Sequence, residues 1–169
     1  MKPTYDPRNI QGGTARRPAA VAVGSPARPL TGRGRKNVLV VVLDALAAAE
    51  LANADVFVVA PALNSRLRHW VSDEDAARGR AQERAAAFVG RLTRKGVRAV
   101  GGIGDADPLQ AIADALVTFP ADAIVVAAGS ERTTRRADEL VTRARERFGI
   151  PTFRAGSIVE VTPGARIAA

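Results

Sequence analysis

Two uninterrupted apolar runs, Val38-Leu39-Val40-Val41-Val42-Leu43 and Val56-Phe57-Val58-Val59-Ala60, constrain this chain more than any other feature. Neither alternates apolar with polar residues, so each must be covered on both faces, as strands inside a parallel sheet are. Asp44 ends the first run, and residues 45–53, ALAAAELAN, are small and helix-favouring. The crossover is close to the shortest that can join parallel strands, about a dozen residues. Its helix is therefore expected to be stubby.

The alternation of strand and helix continues beyond Pro61. Ser72 is a credible N-cap with an acid three residues on, and it predicts a long helix from Asp73 to about Lys95. Ala77, Ala81, Arg84, Ala85, Phe88, Val89 and Leu92 form its stripe. Gly96 suits the C-cap, and Val97 to Val100 begins a third strand. Asp107-Pro108 opens the next helix, with Leu109, Ile112, Ala113, Leu116 and Phe119 on one face and Pro120 as its stop. Ile124 to Ala128 is a fourth strand, Thr133 or Thr134 caps a last helix ending at Phe148, and Gly149 precedes a fifth strand near Ile150 to Arg154. Ser157 to Thr162 reads as a short edge strand or as tail.

Five strands alternating with helices predict an α/β, doubly wound, mostly parallel sheet with helices on both faces and strand order 3-2-1-4-5. Ligands bind such sheets beyond the carboxyl ends of the strands, where the winding reverses. That point falls between the first and fourth strands, so Asp44 and Gly129-Ser130 are expected to face one cleft.

Composition bounds the rest. The 169 residues are 47% hydrophobic and 25% charged, enough for one packed domain, placed at 37–155. Only 4% are aromatic, so small aliphatic side chains must build the core, and no cysteine is available for disulfides or thiolate metal sites. Eight basic residues and one acid fall within residues 1–36, against 17 basic and 16 acidic residues in the remainder. This segment reads as a disordered basic tail, and 156–169 as a C-terminal extension. Arg16-Arg17 is followed by no adequate apolar region, and no run reaches the roughly 18 residues of a membrane span. A soluble, cytoplasmic protein is expected.

Candidate chemistry is sparse. His69 is the single histidine and, with Trp70, is read as docking a loop; Asp73-Glu74-Asp75, Asp105 and Asp107 read as capping and turn acids. Gly101-Gly102-Ile103-Gly104 is glycine-rich but lacks the lysine of a Walker loop. Ser130, Arg132, Thr133, Thr134, Arg135 and Arg136 cluster between a strand end and a helix start, where amides, hydroxyls and guanidinium groups can meet phosphate.

From Val38 to about Arg154 the order of elements resembles the universal stress protein family, of the Rossmann-like adenine nucleotide alpha hydrolase superfamily. GDADPLQAI, Gly104 to Ile112, is similar to that family's turn into its third helix, and ADAIVVAAGS, Ala121 to Ser130, to its fourth strand. Asp44 matches the acid the family carries beside the nucleotide. The resemblance implies a non-catalytic homodimer and ATP or another adenine nucleotide held near Asp44, Gly129 and Ser130; Arg132, Thr133, Thr134 and Arg135 join the candidate site from the basic, hydroxyl-bearing loop, and no metal site is expected. ATP-binding members resemble G-x2-G-x9-G-[ST]; counted from Gly129, the second and third glycine positions are Arg132 and Thr142. ATP binding is accordingly expected to be weakened or lost.

Three functional classes follow. The first is a non-catalytic stress-response or regulatory module of that family. The second is a nucleic-acid- or ribosome-associated protein contacting RNA or DNA phosphates through residues 1–36. The third, a nucleotide-using enzyme, ranks last because no acid, base or metal constellation accompanies the site.

Overall fold

The computed structural model describes residues 35–44, 49, 51, 53–63 and 73–155. Residues 1–34 of the tail, the residues around His69 and Trp70, the Ser72 cap and Ser157 to Thr162 lie outside the described residues, as does most of the stubby helix expected over 45–53, whereas Lys36, assigned to the tail by the sequence, opens the first strand. Eight elements follow in order: β1 (Lys36–Val42), β2 (Ala54–Pro61), α1 (Asp73–Arg94), β3 (Arg98–Gly104), α2 (Pro108–Thr118), β4 (Ala123–Ala127), α3 (Glu131–Phe148) and β5 (Thr152–Arg154). The five strands form one all-parallel sheet in the order β3-β2-β1-β4-β5, as the sequence predicts.

Period-two alternation explains the unbroken apolar runs. Val38, Val40 and Val42 of β1, with Val56 and Val58 of β2, pack against Phe88, Val89 and Leu92 of α1. Leu39, Val41, Phe57 and Val59 point the other way, onto Leu109 and Ile112 of α2 and Leu140 of α3. Each fully covered side chain in these strands contributes about 1.5–3 kcal/mol relative to exposure. Phe57 and Phe119 add a tilted ring pair at 5.7 Å between centroids, within the few-ångström range aromatic pairs prefer.

Several boundaries are sharpened by the structure. The third strand, expected to begin at Val97 to Val100, continues through Gly101-Gly102-Ile103-Gly104, which pairs in register with Val58, Val59, Ala60 and Pro61. The reason is steric: a Cβ on Gly104 would stand 2.5 Å from Ala111 Cβ and 2.7 Å from Val59 Cγ2, and one on Gly101 would stand 2.8 Å from Val89 Cγ2. Glycine at these two positions lets α2 and α1 lie directly on the edge strand. Secondly, α3 starts at Glu131 with Ser130 as its N-cap, and neither Thr133 nor Thr134 is the cap. Thirdly, β5 begins at Thr152 because α3 runs through Phe148 and its turn at Gly149 (φ 64°) consumes Ile150 and Pro151.

Polar groups at the amino ends of the strands are engaged in the fold. The Asn37 N–H donates to Asp122 at 2.8 Å and its Nδ2 to the Pro120 carbonyl, while the buried Asp55 carboxylate lies between Arg35 and Arg98 at 3.8 and 3.5 Å.

Two glycine substitutions separate the close approach from mere composition. Gly104→Ala should cost about 1–3 kcal/mol, because α2 backbone must move. Gly90→Ala, inside α1 with nothing within 4 Å of the added carbon, should gain about 0.5–1 kcal/mol. Urea unfolding of both variants measures the pair; equal effects would refute the steric account.

Candidate functional site

Parallel pairing of β1 with β4 sets the site. Val42 lies opposite Ala127, the Leu43 N–H donates to the Ala127 carbonyl at 2.9 Å, and the same register two residues on brings Asp44 opposite Gly129. Both strands stop here. β1 gives way to a crossover, and β4 turns within Ala128, Gly129 and Ser130 into α3, whose first amides point back toward the strand ends.

Those amides already have an acceptor. The Gly129 N–H donates to both Asp44 carboxylate oxygens, at 3.0 and 3.1 Å, and the Ser130 N–H donates to Oδ2 at 2.9 Å. The Thr133 hydroxyl also donates to Oδ2. Ser130 and Thr133 complete a reciprocal capping box, with the Thr133 N–H on Ser130 Oγ at 3.4 Å and the Ser130 N–H on Thr133 Oγ1 at 3.2 Å. Partial burial opposes ionisation of Asp44, but the hydrogen bonds from Thr133, Gly129 and Ser130 outweigh it and lower its pKa to about 2. A negative charge at this helix start is further favoured by the α3 dipole.

The expected residues therefore divide. Asp44, Gly129, Ser130 and Thr133 meet as one hydrogen-bonded unit. The Thr134 hydroxyl instead donates back to the Ser130 carbonyl at 2.9 Å. Arg132 and Arg135, with Thr133, line a cleft of about 1360 Å³ beside that unit. Its floor includes Leu43, Leu109 and Leu140, and Arg136 and Arg143 extend its basic wall along α3. Arg132 and Thr142, the positions where the ATP-binding pattern has glycine, are both helical; the Thr142 hydroxyl bonds the Asp138 carbonyl at 3.2 Å within α3.

Asp105 and Asp107 serve the turn into α2. The Asp107 N–H donates to Asp105 at 2.8 Å, and Asp107 caps the helix by accepting from the Leu109 N–H at 2.9 Å. Two features escaped sequence reading. Arg84, taken as part of the α1 stripe, is half-buried and donates to the Pro61 carbonyl at 2.7 Å, at the same end of the sheet. Burial and neighbouring Arg80 lower its pKa, and the charge of Asp44 acts in the opposite sense. A lone charge inside an apolar helical stripe was the available sign. Arg143, seven residues beyond Arg136, joins the cleft through helical periodicity alone.

Among the described residues no group of three or more His, Cys, Asp or Glu side chains could hold a metal ion, and no helix is long and apolar enough to cross a membrane. No protein-family model matches the chain, and no curated protein matches it.

Asp44→Ala strands the Gly129 and Ser130 amides and should destabilise the fold by about 1–2 kcal/mol. Asp44→Asn, which keeps one acceptor oxygen, should lose less. Because the folded carboxyl titrates below its ordinary value of 3.8, the advantage of wild type over Asp44→Ala is complete above about pH 5 and fades as pH falls toward about 2. Unfolding free energies of the two proteins at stepped pH measure this, and a pH-independent difference would contradict the charged contact.

Proposed function

We propose that this chain is a non-catalytic stress-response or regulatory module of universal-stress-protein type in which ATP binding at the strand ends is weakened or lost. One observation carries the reading: the Asp44 carboxylate sits on the Gly129 and Ser130 amides that a phosphate at this helix start would need. An incoming phosphate would have to displace a bound carboxylate and accept its repulsion at close range. The helical backbone at Arg132 and Thr142 further removes the flexible glycine loop of the ATP-binding pattern.

The same contact argues against chemistry at Asp44. A carboxylate held at a pKa of about 2 by three donors is a poor general base at neutral pH. A homodimer belongs to this reading: β5 is three residues long and pairs with β4 alone among the described residues, leaving its outer edge open to another chain. A cytoplasmic location is part of the same proposal.

Native mass spectra of the full-length protein, recorded at moderate salt without and with ATP, provide the test. The expected species is a nucleotide-free dimer at every ATP concentration. One retained or added nucleotide per subunit would overturn the loss of ATP binding, and a monomer at all protein concentrations would overturn the dimer.

A further inference from the structure

The basic wall of the α2–α3 cleft takes no part in the Asp44 unit. Arg132, Arg136 and Arg143 stand at i, i+4 and i+11 on α3 and so share one helix face, which borders the cleft. All three are exposed, and among the described residues none of them forms an ion pair. By contrast, the opposite edge of α3 is engaged by the fold: Arg145 donates to the Thr152 carbonyl at 2.6 Å and Asp138 binds Arg154 at 2.8 Å. The unengaged guanidinium groups are thus confined to the cleft side.

Spacing selects the kind of anion. With a rise of 1.5 Å per residue, Arg132 and Arg136 are about 6 Å apart along the axis and can close on one phosphate, while Arg143 lies about 10 Å beyond Arg136. Glu139 lies between them on the same face, and Asp107 and Glu131 also line the cleft. A compact anion bridging all three arginines would sit against that carboxylate, whereas phosphates at the two ends would avoid it. The cleft volume also exceeds the roughly 300–1,000 Å³ of an enclosed small-molecule pocket.

We propose that the α3 face formed by Arg132, Arg136 and Arg143 binds a linear phosphate chain, one phosphate between Arg132 and Arg136 and another at Arg143. This binding site is distinct from the strand-end amides and does not depend on whether ATP binds there. The shared chemistry has two sources, the backbone of a single-stranded nucleic acid and inorganic polyphosphate.

The test uses the full chain and three probes, a fluorescent single-stranded RNA dodecamer, long-chain polyphosphate and ATP, titrated at low and rising salt. The combined variant Arg132→Ala, Arg136→Ala, Arg143→Ala should weaken binding of a chain probe at least tenfold and reduce the salt slope by about 1.4, the value for two phosphate contacts at about 0.7 each on a single strand. A control lacking Lys36, Arg78 and Arg94, also replaced by alanine, removes equal charge from other faces and should lose much less. Binding of RNA or polyphosphate with this pattern supports the proposal and identifies the source. Equal losses in the two variants, an unchanged slope in the α3 variant, ATP binding as tightly as the chains, or no binding of either chain at low salt would each overturn it.

Discussion

Parallel pairing of β1 on both sides, with β2 at one edge and β4 at the other, is the constraint from which the rest of this structure follows. A strand flanked on both sides and covered on both faces has no exposed surface, so Val38 to Val42 must be apolar throughout. The layers above and below it are then obligatory. Right-handed crossovers place α1 on one face and α2 with α3 on the other, and the winding reverses at β1 because β4 pairs with the free side of β1 and not with the outer edge of β3.

That reversal creates an electrostatic demand as well as a cleft. The start of α3 presents unpaired amides and the positive end of its dipole where two strands have just ended. An open site of this kind could be filled by solvent or by a ligand, but here the neighbouring strand supplies the anion. Asp44 thereby joins β1 to α3 through side chain and backbone at once, and the Ser130 and Thr133 hydroxyls secure the turn around it. The result is a hydrogen-bonded strand-end corner beside a cleft whose α3 wall carries Arg132, Arg135, Arg136 and Arg143.

Layer order and helix faces were legible in the sequence because they depend on periodicity: the α1 stripe through Ala81, Ala85, Phe88 and Leu92 is buried as read. Close approach was less legible. A run such as Gly101 to Gly104 has the composition of a loop, and only the positions of Ala111 and Val89 reveal that the missing side chains make room for helices. The pairing of Asp44 with Gly129 and Ser130 was anticipated as a shared cleft, but that the acid itself occupies the amides depends on strand register, which local composition does not encode. The cap at Ser130 was displaced to Thr133 or Thr134 in sequence reading because three hydroxyl residues compete there; the geometry uses Ser130 as cap and Thr133 as its reciprocal partner.

The central position of β1 also bears on synthesis. Its partner on one side, β2, follows 18 positions later in register, but β4 comes about 85 positions later, the separation spanned by the Asp44 contacts. Ribosomes deliver roughly 5–20 residues per second, so the nascent chain carries β1, β2 and α1 for several seconds before the other edge can close. During that interval an apolar strand edge is open to chaperones and to neighbouring nascent chains, and the docking of β4 is the event that removes it from reach.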